Sequence, residues 1–141
     1  DGEMTVVAWG TIRTTPDMEM PDRLMQIHTE MCALLVKYRP DTAGVEEVFF
    51  GRNITTAITV GQARGVILLS LTQAGVSVGE YSPPKIKQSV AGYGKADKKQ
   101  VQLMVRHLLD LEETPRPDDA ADGLAIAITH YNYYHFNALT R

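Results

Sequence analysis

Glu46, Asp119 and Asp122 are the residues whose types and positions best suit chemistry on a phosphodiester. Glu46 and Glu47 lie near the end of the short run Thr42–Val48, which is bounded by turn signals and predicts a buried strand. Side chains alternate faces along a strand, so the two glutamates point to opposite sides and one of them can face a site. A carboxylate beside Val45, Val48 and Phe49 is costly if buried unpaired, and a bound cation removes that cost. On position alone, an ordinary exposed strand-end Glu is the alternative. Asp119 and Asp122 are three apart in a helical segment, so both project on one face, roughly 5–6 Å apart. Like charges so close repel unless a cation or a raised pKa relieves them. Hard oxygen ligands suit Mg²⁺, which usually takes one or two carboxylates and keeps waters and phosphate oxygens. Spacing alone fits equally an acidic first turn stabilised by the helix dipole, with Asp118 or Asp119 as N-cap. A strand-end glutamate and a helix-start aspartate pair together describe a site for two-metal phosphodiester hydrolysis. In that chemistry one cation generates and orients hydroxide while the other stabilises the leaving 3′ oxygen.

A phosphate surface beside that site is the second expectation. Lys85, Lys87, Lys95, Lys98, Lys99 and Arg106 form a basic segment broken by the single acid Asp97, and Tyr93 lies in its glycine loop. Lys98 and Lys99 fall near a helix start, where the dipole disfavours cations, so phosphate-facing lysines and backbone amides explain them better than chance does. A solvated helix face is the competing explanation. The net charge of −3 looks wrong for a nucleic-acid protein until it is divided along the chain. Residues 1–47 hold nine acids against four bases, residues 48–107 two against eight, and residues 108–141 six against two. A basic middle between acidic ends suits carboxylates beside a phosphate surface. Phe49-Phe50-Gly51-Arg52-Asn53 follows the strand-end glutamates; one phenylalanine reads as an exposed wedge or stacking group, or both tuck into the core.

The elements that must position these groups alternate. Met4–Thr11 is rich in β-branched and aromatic residues and predicts a strand. Leu24, Ile27, Met31, Leu34, Leu35 and Tyr38 recur at helical spacing after Pro21 and stop at Pro40-Asp41. A long helix is expected from Thr55 or Thr56 to Gln73, with Gly75 as its C-cap, then a strand over Val76–Tyr81 ended by Pro83-Pro84. A short helix over Lys85–Val90, a helix over Asp97–Leu109 and a last helix from Asp118 or Asp119 to about Tyr133 follow. This order implies an α/β layered fold with a partly parallel sheet, whose carboxyl-end polar groups are the default site. Ala57, Gly61 and Gly65 form a small-residue stripe that admits a close helix neighbour, from a second subunit or from the chain's own sheet.

Other chemistries compete poorly. A length of 141 residues suits one domain with a real core, here taken as 1–141, and 44% apolar with 22% charged residues excludes disorder. The lone Cys32 sits in a helical pattern and suits core better than a nucleophile, and the four histidines show no metal-ligand spacing with it. Gly92-Tyr93-Gly94 lacks the rest of a dinucleotide or P-loop pattern. The polar start and the shortness of the most apolar stretch, Val66–Leu71, point to a cytoplasmic protein without a membrane partner.

At these residues the chain resembles the RuvC family of Holliday junction resolvases. The stretches that carry the resemblance are VEEVFFGRN (45–53), TTAITVGQARGVIL (55–68), EYSPPKIKQSVAGYGKADKKQVQLMV (80–105) and PRPDDAADGLAIAITH (115–130). It implies a ribonuclease H-like α/β fold, with a mixed central sheet flanked by helices. It also implies a homodimer and symmetric nicking of four-way DNA dependent on Mg²⁺ or Mn²⁺, two ions per site. Glu46 takes the place of the family's strand-end glutamate, and Asp119 and Asp122 the places of its paired helix carboxylates. Lys87 and Lys98 fall on basic positions implicated in junction binding or catalysis, and Phe49 on an aromatic near the branch point. Arg52, Lys85, Lys95, Lys99 and Tyr93 are expected to join them on DNA. The implied partners are four-way DNA and a branch-migration complex of RuvA- and RuvB-type proteins. The family also begins with a strand ending in Asp-Pro-Gly, whose Asp is the first catalytic carboxylate, and that motif is not among these 141 residues. The expectation is that a polypeptide of residues 1–141 alone is unstable and inactive, whereas the complete protein cuts.

Overall fold

Asn53, Ser82 and Asp97 decide where three of the helices begin. Each accepts a backbone N–H from the residue three further on, supplying one of the orphan donors of a helix start. In the computed structural model, which describes residues 3–47 and 53–139, the order is α1 (Met20–Tyr38), β1 (Thr42–Glu46), α2 (Ile54–Gln73), β2 (Ser77–Tyr81), α3 (Pro83–Ala91), α4 (Lys98–Leu108) and α5 (Asp118–Leu139). Strands β1 and β2 are hydrogen-bonded neighbours joined by the α2 crossover, the connection that parallel strands require. Gly75, with φ 75°, turns the chain out of α2 into β2 in a conformation that only glycine adopts cheaply.

Two compact units emerge. One holds Asp1–Thr11, Gly44–Glu46 and Glu80–Arg141; the other holds Ile12–Ala43 and Glu47–Gly79. In the first, α3, α4 and α5 pack against one another around Tyr81, Ile86, Val90, Val105, Leu124, Ala125 and Ile128. In the second, α1 packs on α2 and buries Leu35 and Leu71. There the buried Ser70 Oγ donates to the Val66 carbonyl at 2.8 Å and so accepts from His28 Nδ1 at 2.9 Å, a hydrogen-bonded pin between the helices.

The strand expected over Met4–Thr11 is not formed: among the described residues this segment joins no ladder. Met4 and Val6 still pack partly buried on the core while Thr5 and Val7 face solvent, so the alternation survives without the hydrogen bonds. Strand propensity measures fit to a paired, half-buried surface, and no neighbouring strand completes one here. Among the described residues the sheet holds β1 and β2. Pro83 and Pro84 differ in another way. They stop β2 but also open α3 at its first positions, where a missing N–H costs nothing. Helix α5 runs on to Leu139, well past Tyr133, because no glycine or proline lies between those two residues.

Helix α2 is long and apolar enough, by length and composition, to cross a membrane, which the short apolar run seen in sequence did not suggest. Ile54, Ile58, Gly61, Gly65 and Leu69 make an exposed stripe along it, at successive steps of three or four residues. Nothing lies within 4 Å of a Cβ built on Gly61 or Gly65, while Ala57 is buried.

Candidate active site

The close approach of α5 to β1 creates the site. Gly44 lies against α5 so tightly that a Cβ there would stand 2.8 Å from His130 Cβ and 3.3 Å from Ile126 Cγ2. Gly44 and Glu46 share one face of β1, two residues apart. Asp122, Ile126 and His130 share one face of α5 at steps of four. Packing one face on the other brings Asp122 to the end of β1 where Glu46 stands. The tail of the contact is fixed by a 2.7 Å hydrogen bond between Tyr81 Oη and His130 Nδ1, with the Tyr81 ring also against Tyr133.

Glu46 and Asp122 line one cavity of about 330 Å³, together with Lys87, Lys98, Asp97, Ile86, Ala96 and Val101. Helix α3 supplies Lys87, and α4 supplies Lys98 from its first residue. A capping box fixes that start: Gln100 N–H donates to Asp97 Oδ1 at 2.8 Å, and Asp97 N–H donates to Gln100 Oε1 at 2.9 Å. Lys98 Nζ lies 3.5 Å from Asp118 Oδ2 and 4.0 Å from Asp122 Oδ2.

Electrostatics mark the same two carboxylates. Burial raises the Glu46 pKa above its ordinary value, the charge of Asp122 raises it further, and Lys87 pulls it back. Burial likewise raises Asp122, Lys98 opposes this, and Asp119 and Asp118 add to the rise. The repulsion between Glu46 and Asp122 belongs to the pair, as in any coupled carboxylates. A divalent cation would relieve such a pair, and hard oxygen donors suit Mg²⁺ or Mn²⁺. Among the described residues no three His, Cys, Asp or Glu side chains converge as a ready ligand set, so this chain's contribution is two convergent carboxylates with a third nearby.

The remaining sequence candidates divide. Asp119 is exposed at the start of α5 and acts on Asp122 through its charge, but it does not line the cavity. Lys85, Lys95, Lys99 and Tyr93 are exposed on α3, α4 and the loop between them, outside the cavity lining. Phe49 and Arg52 lie outside the described residues. Sequence reasoning missed three contributors. Gly44 carries no motif, Asp118 appeared only as a helix cap, and His130 was weighed only as a metal ligand.

Raised carboxylate pKa values have a stability consequence in the absence of metal. A group whose native pKa exceeds its unfolded value contributes stability at low pH that is lost as pH rises through the native value. For Glu46 and Asp122 that loss begins near the ordinary values of 4.5 and 3.8 and continues above them. In EDTA at neutral pH, Asp122→Asn is therefore expected to raise Tm by roughly 2–4 °C. The gain should shrink as pH falls towards 4 and when Mg²⁺ is added; thermal melts across pH in EDTA check it.

Comparison with known proteins identifies the family. The family described as "Crossover junction endodeoxyribonuclease RuvC" matches residues 1–130. The chain belongs to the RuvC family. It is 53% identical over 137 residues to a RuvC from Syntrophomonas wolfei, covering 97% of this chain and 80% of that relative. It is 55% identical over 130 residues to a RuvC from Chloroflexus aurantiacus, covering 92% and 79%. Two solved structures of Thermus thermophilus RuvC, each 39% identical, superpose with TM-scores of 0.88 and 0.91 over 96% of this chain and 81% and 82% of theirs; the second is described as in complex with Holliday junction substrate. The RuvC likeness fixes the fold as ribonuclease H-like α/β.

Proposed function

We propose that the protein is a metal-dependent endonuclease that resolves four-way DNA junctions by symmetric nicking, residues 1–141 forming the body of one nuclease domain. The observation that carries this reading is the meeting of Glu46 and Asp122, 76 positions apart in sequence, in one cavity flanked by Lys87 and Lys98. Membership of the RuvC family supports it.

Glu46 and Asp122, with Asp119 beside them, would hold Mg²⁺, or Mn²⁺ in its place, and two ions per site are proposed. Bound there, such ions would supply water activation and charge stabilisation at the leaving oxygen. The chain's own residues do the rest. Lys87 and Lys98 flank the carboxylates and draw a phosphate towards them, offsetting the repulsion between a phosphodiester and an acidic site. Asp97 and Gln100 keep Lys98 at a fixed place on α4. The exposed Lys85, Lys95 and Lys99, with Tyr93 in the loop, extend the phosphate track; Arg52 is assigned to DNA binding and Phe49 to the branch point. The exposed α2 stripe around Gly61 and Gly65 is the face proposed for a homodimer, which would pair two sites for symmetric cutting. A branch-migration complex of RuvA and RuvB type is the proposed partner in the cytoplasm.

The test is cleavage of a synthetic four-way junction by the complete protein with Mg²⁺. Paired symmetric nicks are expected, with RNA–DNA hybrid a poor competitor; preference for the hybrid, or binding without nicking, would overturn the assignment. Lys87→Gln is expected to weaken junction binding and to lower the slope of log affinity against log salt by about one. Binding measured at several salt concentrations checks this, and an unchanged slope removes Lys87 from the phosphate surface.

A further inference from the structure

We propose that Asp118 is a positioning residue of the site: it holds Lys98 away from Asp122, and Lys98 exchanges from Asp118 to the DNA phosphate as divalent metal takes the carboxylates. The inference rests on the metal–carboxylate reading above and adds a residue and a competition to it. Lys98 Nζ stands between two acids, nearer to Asp118 (3.5 Å) than to Asp122 (4.0 Å). Its backbone is locked by the Asp97–Gln100 capping box, so only the side chain can move. Both ends of the Lys98–Asp118 pair are more than half exposed. Exposed ion pairs are worth little, so this one orients Lys98 without committing it.

A cation beside Asp122 has two opposite consequences. It relieves the repulsion that burial and the neighbouring acids impose on that carboxylate, and it occupies space and charge that a metal ion needs. Asp118 resolves the conflict. By taking the larger share of Lys98, it leaves Asp122 available while keeping the ammonium within reach of a phosphate arriving at the same opening. Among the described residues, the charged groups around Lys98 are Asp118 and Asp122 from α5, with Asp119 on the same first turns, Asp97 at the start of its own helix, and Glu46 and Lys87 in the same cavity lining. Without Asp118, the ammonium keeps, among the described residues, Asp122 as its acidic partner within 4.0 Å and competes with the metal there.

The experiment measures Mn²⁺ binding to the complete, DNA-free protein by calorimetry, for the native sequence, Asp118→Asn, Lys98→Gln and the double variant. Asp118→Asn is expected to weaken Mn²⁺ binding and Lys98→Gln to tighten it, each by roughly two- to fivefold, the range of an exposed ion pair. The double variant should bind nearly as tightly as Lys98→Gln alone, because Asp118 acts mainly through Lys98 and only as the last of the charge effects on Asp122 itself. Additive effects, or no weakening in Asp118→Asn, overturn the proposal and leave the metal site standing. Absence of Mn²⁺ binding in the native protein overturns the metal reading itself. Asp118→Glu, which keeps the charge, should restore native binding; failure to do so also counts against Asp118 as the holder of Lys98.

Discussion

Glu46→Gln in the complete protein is expected to abolish junction cleavage while leaving junction binding within a few-fold of native. The change keeps shape and hydrogen-bonding capacity but removes the charge that a cation would balance. Loss of even an outer partner of a metal ligand costs roughly 10- to 100-fold, so loss of a direct carboxylate should cost more than about a hundredfold in rate. Binding should survive because the groups proposed to face phosphate are lysines on α3 and α4, separate elements from β1. Removing a negative charge beside DNA should if anything favour association. Single-turnover cleavage and binding measured in Ca²⁺ separate the two effects. A variant that loses both equally would make Glu46 structural.

Ile128→Ala is expected to be the most damaging single truncation. Ile128 is 1% exposed at the middle of α5 and belongs to the cluster with Tyr81, Val105 and Leu124. Truncating a fully buried Ile costs about 2–5 kcal/mol, a large share of the roughly 5–15 kcal/mol that holds a domain together. Tm should fall by roughly 5–20 °C. The same helix carries Asp118, Asp119 and Asp122, so metal binding should fail along with folding on heating, not before it. Melting followed by circular dichroism and by metal release would show one transition. A fall of under about 2 °C would mean that the core rearranges around the missing atoms.

Much of the fold was legible because its signals are local. Pro21, Pro40, Gly75 and the start at Asp97 are short-range punctuation, and the boundaries of those helices follow from them within a residue or two. The Met4–Thr11 segment was not legible, since a strand exists only by pairing and its sequence does not state its neighbour. The double role of Pro83 and Pro84 was hidden because one ring both ends a strand and starts a helix. In the site, residue types on Glu46, Asp119 and Asp122 pointed to metal chemistry, but spacing could not say that they meet. That knowledge came from the family resemblance and, in the structure, from the contact at Gly44, which no motif announces. Asp119 and Asp122 share a helix side in sequence, yet only Asp122 enters the cavity. Three residues turn a helix roughly 60° short of a full revolution, enough to leave Asp119 on the rim.

The proposal that Glu46 and Asp122 share a cation is tested most directly by titrating Mn²⁺ into the complete native protein and into Glu46→Gln and Asp122→Asn. Both variants are expected to lose affinity by about tenfold or more, since each removes a carboxylate that the ion would contact. Native affinity retained in both would place the metal elsewhere and contradict the site.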